Sequence, residues 1–193
     1  MTTIGFIRHG ITEWNNTGKF QGIADIPLNE SGKKQATAIA NRLYSEEQWD
    51  LIISSNLIRA KETAIIISRK LNIPSVIIDE RIREINCGKL EGLTEEEIIS
   101  KWGTNWRKLE LGMESYENVQ IRGRDFLEDT VIRYMNKRIL VVSHGALIGL
   151  TLQTIMPSTF KKTNIDNTSL TILDYHNNKW ACNLYNCTIH LDG

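Results

Sequence analysis

Two histidines stand in matching surroundings. Arg8-His9-Gly10 closes the apolar run 4–7, and Ser143-His144-Gly145 closes the apolar run 139–142. A third run, 51–53, ends in Ser54-Ser55, with Arg59 following in what reads as the first turn of a helix. In a parallel α/β sheet, ligands collect beyond the carboxyl ends of the strands. These three ends would therefore deliver Arg8, His9, Arg59 and His144 to one edge. A single histidine is more often structural than catalytic, but two in the same strand–His–Gly context are harder to explain by packing. Each glycine would let the backbone turn sharply just past the imidazole. Two arginines repel each other unless an anion relieves them, and the guanidinium fork suits phosphate oxygens. Free N–H groups at a helix N-terminus, here the one opening at Gly145, add to that attraction. The expected ligand is a phosphoryl group.

The usual phosphate-binding motifs are missing: the chain has neither G-x-x-x-x-G-K-[ST] nor G-x-G-x-x-G. No cluster of aspartates suggests Mg²⁺, and His176 and His190 lack cysteine or carboxylate partners at metal spacing, so both are read as structural. Neither a metal nor a cofactor is expected. Phosphoryl transfer without a metal needs a nucleophile and an acid. His9 can carry the phosphoryl as phosphohistidine. Glu84, in Arg83-Glu84-Ile85-Asn86-Cys87-Gly88, is the best-placed carboxyl group to protonate a leaving alcohol, because it follows the apolar run Val76–Ile78.

The elements that must position these groups alternate along the chain. The short apolar runs at 4–7, 51–53, 76–78 and 139–142 suit strands buried on both faces. Between them lie segments of helical period. Ala36, Ile39, Ala40 and Leu43 form one stripe, with Asn29 as N-cap. Leu57, Ala60, Ala64, Ile67 and Leu71 form a second, with Asn56 placed to cap it and Pro74 following. Helices are further expected over 119–135 and 145–154. Segments 169–175 and 179–185 flank His176-Asn177-Asn178 as a hairpin. The expectation is an α/β fold, a three-layer α/β/α sandwich on a mostly parallel central sheet, as one domain over residues 1–193. Residues 88–123 are the least regular part. They are expected to form a short helical insertion, a lid over the pocket or a packed appendage, with Trp102, Trp106, Met113 and Tyr116 either lining the pocket or packing in the core.

Composition bounds the partners. The chain has 193 residues, 41% of them hydrophobic, and its 23 Lys plus Arg balance 23 Asp plus Glu. That balance argues against a general nucleic-acid or membrane-surface binder, which needs a basic excess. The expected partner is a small phosphomonoester, with no nucleic acid and no membrane. Three cysteines give no disulfide framework, and the N-terminus lacks the pattern of a signal peptide. A soluble, cytoplasmic protein is expected; its oligomeric state is not readable.

These residues resemble the histidine phosphatase superfamily, the phosphoglycerate-mutase-like proteins. Arg8-His9-Gly10 is similar to that family's signature, and Thr12-Glu13-Trp14-Asn15 to the segment that commonly follows it. The blocks Gln21-Gly22 to Gln35-Ala36, Ser54-Ser55 to Thr63-Ala64, Arg83-Glu84 to Glu91-Gly92, Glu114-Ser115 with Arg122, and Val141 to Gly145 resemble later motifs in order. The resemblance implies that His9 is the phosphorylated nucleophile. It implies that Arg8, Arg59 and His144 bind phosphoryl oxygens together with Asn15, Gln21 and the start of the helix at Gly145. Glu84 would be the proton donor and then the base for water, and is expected to be protonated when substrate binds. Ile11, Asn56 and Cys87 depart from the family's usual residues. Cys87 is read as a packing thiol, since nothing near it in sequence would activate it.

The family holds phosphatases and mutases. Mutases resemble one another in a longer insertion bearing a basic clamp. Here sixty residues separate Glu84 from His144, and Lys101, Arg107 and Lys108 include no adjacent arginine pair. The expected activity is therefore a metal-independent phosphomonoester phosphatase. The alternatives are a cofactor-dependent phosphoglycerate mutase and a phospho-ligand-binding module without turnover.

Overall fold

The computed structural model describes residues 1–46 and 48–192. Six strands form one sheet: β1 (Thr2–Arg8), β2 (Leu51–Ser54), β3 (Val76–Ile78), β4 (Arg138–Ser143), β5 (Leu170–His176) and β6 (Lys179–Cys187), in the order β3-β2-β4-β1-β5-β6. The strands β3, β2, β4 and β1 run parallel, and the C-terminal pair adds antiparallel at the β1 side. The helices are α1 (Glu13–Asn16), α2 (Glu30–Ser45), α3 (Ile58–Leu71), α4 (Glu95–Trp102), α5 (Tyr116–Arg133) and α6 (Gly145–Ile155).

Strand alternation explains the three layers. Ile4 and Phe6 of β1 and Ile139 and Val141 of β4 share one apolar cluster with Val119, Phe126 and Leu127 of α5 and Leu147, Ile148 and Leu152 of α6. Their neighbours Ile7, Leu140 and Val142 join the other cluster, with Ile39, Ala40 and Leu43 of α2 and Ala60, Ala64 and Ile67 of α3. Near-continuous apolar strands follow from burial on both faces. The exception is β3, also expected to be buried on both faces, and there the expectation fails. As the sheet edge, flanked by a strand on one side only, it leaves Ile77 and Ile78 exposed.

Helix starts separate local from tertiary capping. Asn29 caps α2 as expected, accepting from the Gly32 N–H at 2.8 Å. Asn56 does not cap α3. The Ile58 N–H donates instead to Asp25 Oδ1 at 2.6 Å, and the Leu57 N–H to Ser55 Oγ at 3.2 Å. A carboxylate from a distant loop competes successfully for a helix terminus whose partial positive charge favours anions. Helix α5 begins three residues before the expected 119 and ends at Arg133, while α6 runs one residue past 154. The β5–β6 turn holds only Asn177 and Asn178, with φ of 49° and 58°, whereas His176 pairs within the strand. Two left-handed residues give the turn that suits a two-residue hairpin. Of the expected 88–123 insertion, only the stretch before α5 is irregular; it contains α4 and short 3₁₀ turns at Gly88–Leu90 and Trp106–Lys108.

Candidate active site

Sheet register brings the motifs together. Arg8 pairs with Ser143, and Ser54 with Val142, so β1, β4 and β2 end side by side. The His9 N–H continues the ladder to Ser143 O at 2.9 Å, as does Ser55 N–H to Val142 O at 3.0 Å. Neither Gly10 nor Gly145 has positive φ, contrary to the sharp turn expected of them. What Gly10 supplies is closeness: a Cβ there would lie 2.5 Å from the Gly32 carbonyl oxygen in the first turn of α2. At Gly145 a Cβ would meet nothing nearer than Arg8 Nε at 3.5 Å.

His9 is 2% exposed, and its Nδ1 lies 2.7 Å from the Gly10 carbonyl oxygen. A carbonyl only accepts, so Nδ1 carries the proton and Nε2 keeps its lone pair. Arg59 Nε donates to that lone pair at 3.3 Å. Arg59 is fully buried, and its terminal nitrogens donate to Ala24 O at 2.7 Å and Gly22 O at 2.8 Å. Burial lowers its pKa to about 10, partly countered by Glu84 and Asp25, so the guanidinium stays charged at neutral pH. The loop that supplies those carbonyls is stitched in place: Ile23 N–H donates to Glu91 Oε1 and Leu28 N–H to Glu62 Oε2. Gly22 sits at φ +51°, where a Cβ would strike the Glu91 carboxylate. Thr63 sets the spacing between the His9 loop and α3, accepting from Gly10 N–H at 3.1 Å and donating to Arg59 O at 2.8 Å.

His144 is fully buried, and its ring centroid lies 5.1 Å from that of His9. Its Nε2 is 2.8 Å from Ser55 Oγ, which also accepts from Leu57 N–H, so the hydroxyl hydrogen is free to point at Nε2. With the hydroxyl donating to Nε2, the ring proton lies on Nδ1, which has no partner among the described residues. Arg8 donates from one terminal nitrogen to Ile165 O at 2.7 Å, while its buried Nε is also unpartnered. Burial lowers the pKa of Arg8, with Glu84 and Asp166 opposing. Glu84 Oε1 accepts from Ile85 N–H at 3.0 Å and Leu147 N–H at 3.2 Å, and Oε2 from Ala146 N–H at 3.3 Å. The carboxyl group thus occupies the anion position at the start of α6.

The remaining expected residues divide. Asn15 and Gln21 lie near one another, held by their carbonyl oxygens: Asn15 Oδ1 accepts from Thr12 N–H at 3.0 Å, and Gln21 Oε1 from the Thr12 hydroxyl at 2.9 Å. Cys87 packs as expected, its thiol pushed up to about 12 by burial and by Glu84 and Glu91. Trp106 is buried against Phe20, edge to face, whereas Met113 and Tyr116 are exposed. Those three, but not Trp102, line a cavity of ≈ 390 Å³ with Phe20, Leu90 and Arg107.

One part of the site carried no sequence signal. The link from α6 to β5 braces Arg8 and His9 from behind. Asn167 Nδ2 donates to His9 O at 2.9 Å and Thr168 N–H to Arg8 O at 2.9 Å. Thr168 does so at φ +55°, in the left-handed region. That conformation costs a β-branched residue roughly 1–2 kcal/mol. The bond to Arg8 and the Thr168 hydroxyl's bond to Asn167 O at 2.8 Å offset that strain.

Burial, then Arg59, depresses the pKa of both imidazoles well below 6.5; Arg8 adds to this at both, and His9 adds to it at His144. Both stay neutral when folded but take up protons near pH 6.5 when unfolded. The unfolded chain then binds more protons, so stability is present above that pH and falls as pH drops below it. The expected loss reaches about 2 kcal/mol per imidazole at pH 5, or about 4 kcal/mol for the pair. Thermal midpoints recorded from pH 7 to 5 in phosphate-free buffer check this; a flat profile contradicts it.

A parallel sheet whose strand ends gather two guanidinium groups and two neutral imidazoles, with unpartnered buried donors, defines a protein that handles phosphoryl groups. The chain belongs to the histidine phosphatase superfamily (branch 1), whose family model matches residues 4–188. It is 35% identical over 195 residues to the uncharacterized phosphatase PhoE of Bacillus subtilis, covering 100% of this chain and 98% of that protein. It is 34% identical over 201 residues to a metal-independent phosphoserine phosphatase of Arabidopsis thaliana, covering 99% and 84%. The solved structure of a phosphoserine phosphatase mutant from Entamoeba histolytica in complex with phosphoserine superposes with a TM-score of 0.84 at 31% identity, covering 99% of this chain and 100% of that one. The protein is a phosphoric monoester hydrolase of this family. Among the described residues no helix is long and apolar enough to cross a membrane.

Proposed function

We propose that the protein hydrolyses small phosphomonoesters without a metal ion, through a phosphohistidine on His9, with Glu84 as acid and then base. Phosphoserine is the first substrate to test, given the relatives' activities. The observation that carries the proposal is the state of His9: its Nδ1 proton is committed to the Gly10 carbonyl, and its Nε2 lone pair faces a buried cation. In the first step Nε2 forms a bond to phosphorus while the bond from phosphorus to the ester oxygen breaks. Glu84, given its acid form by the negative charge of the bound phosphoryl group, passes a proton to that departing oxygen. Arg8 Nε, the Arg59 guanidinium and His144 Nδ1 donate to the three equatorial oxygens, where charge is spread in the transition state. In the second step a water molecule attacks phosphorus, its proton passes to the Glu84 carboxylate, and the phosphorus–nitrogen bond breaks. Inorganic phosphate leaves, Nε2 recovers its lone pair and Glu84 its proton. Asn15 and Gln21, fixed by their carbonyl oxygens, present amide N–H groups at the rim.

The test is hydrolysis of phosphoserine and p-nitrophenyl phosphate in excess chelator, with rapid acid-free quenching to trap the enzyme. Sustained turnover and a phosphoenzyme stable to alkali but labile to acid, as a phosphorus–nitrogen bond is, are the expected results. Abolition by chelator, or an alkali-labile ester intermediate, would overturn the proposal.

A further inference from the structure

Arg122 belongs to a motif with no task in the scheme above, yet it is among the most heavily bonded side chains near the site. It lies on α5, and its side chain is only 11% exposed, as is that of Glu114. One terminal nitrogen donates to both Arg81 O and Arg83 O at 2.6 Å, and the other to Glu84 O at 3.1 Å. The same guanidinium meets Glu114 twice, Nε to Oε1 at 2.9 Å and a terminal nitrogen to Oε2 at 3.1 Å. Glu114 in turn accepts from Asn86 N–H at 3.1 Å, and its own N–H donates to Asn86 O at 2.8 Å. The pair therefore holds the backbone on both sides of Glu84, from Arg81 to Asn86, although that stretch is neither helix nor strand beyond the 3₁₀ turn ending at Ile82. From the other side, the Ser143 hydroxyl donates to Ile82 O at 2.8 Å and so ties the turn to the end of β4.

From this geometry we infer that Arg122, braced by Glu114, is a positioning residue for the proton transfer by Glu84. The inference rests on the acid role proposed for Glu84. A planar fork can bond three converging carbonyl oxygens and a carboxylate at once, whereas a lysine ammonium carries the same charge without that geometry. Loosening the fork lets the Glu84 carboxyl drift from the ester oxygen by a fraction of an ångström to an ångström, which costs one to two orders of magnitude in a positioned proton transfer. The loss falls only where proton donation matters. Phosphoserine has a strongly basic alkoxide as leaving group and needs the proton; p-nitrophenolate leaves without it.

The experiment compares kcat/KM for phosphoserine and p-nitrophenyl phosphate in wild type, Arg122→Lys, Glu114→Gln and Glu84→Gln, with thermal midpoints recorded in parallel. Arg122→Lys is expected to lower kcat/KM for phosphoserine roughly 10–100-fold and for p-nitrophenyl phosphate less than about 3-fold, with Glu114→Gln following the same pattern more weakly. Equal losses on both substrates mark a merely structural role and overturn the inference, as does no loss on either. Should Arg122→Lys fail to fold, Glu114→Gln decides by the same ratio. Glu84→Gln separates the two levels. If it is not selective for phosphoserine, the acid assignment itself fails; if it is selective and the other two are not, only the role given to Arg122 fails.

Discussion

Replacing His9 by alanine is expected to lower turnover of any phosphomonoester by about 10⁴-fold or more, because it removes the atom to which the phosphoryl group is transferred. Phosphate binding is expected to survive, since Arg8, Arg59 and His144 remain. Two further readouts set this variant apart from a misfolded one. It cannot be labelled by a phosphoryl donor. Its stability also loses about half of the acid sensitivity below pH 6.5 that the imidazole pair confers, because one of the two buried neutral rings is gone. At neutral pH a modest destabilisation of about 1–3 kcal/mol is expected, as Arg59 Nε is left without its acceptor. A His9→Ala protein that folds, binds phosphate and still turns over phosphoserine at more than a hundredth of the wild-type rate would exclude His9 as the nucleophile.

Glu84→Gln separates the two half-reactions. The amide keeps the shape, and with its one oxygen in the place of Oε1 it still accepts from the Ile85 and Leu147 N–H groups, so the fold is kept and only the Ala146 N–H loses its acceptor. It neither gives nor takes a proton. With phosphoserine, kcat/KM is expected to fall about 10²–10⁴-fold, the range for loss of a positioned acid. With p-nitrophenyl phosphate the first step proceeds, but the second lacks its base. The expected trace is a burst of p-nitrophenolate stoichiometric with active sites, followed by slow release of phosphate, with phosphohistidine accumulating. Absence of the burst together with equal slowing of both substrates would remove Glu84 from both roles.

Much of the candidate site was legible in the sequence because its residues occupy positions that local pattern already marks. An apolar run followed at once by Arg8-His9 or by Ser143-His144 is a buried strand that ends in polar groups, and in a parallel sheet such ends share an edge. Asn29 was legible as a cap because its partner lies three residues away. Asp25 as the cap of α3 was not, since the two lie thirty-three residues apart and meet only after β2 has joined the sheet. The same reasoning covers β3: its apolar composition matches that of the central strands, and only strand order reveals it as an edge. Asn167 and Thr168 were illegible for a further reason. They act largely by donating to main-chain carbonyls, and every residue type offers a carbonyl, so nothing in the composition of 164–169 distinguishes a brace from a loop.

Residue types and their order settled which chemistry is available: two imidazoles, two guanidinium groups and a carboxyl, each placed at an element boundary. Tertiary packing settled their electrical state. The neutrality of His9 and His144, the choice of ring nitrogen that keeps a lone pair, and the persistence of charge on Arg59 depend on burial and on partners brought from distant parts of the chain. Proton affinity is a property of surroundings, and the surroundings of these groups exist only once the sheet has closed over them.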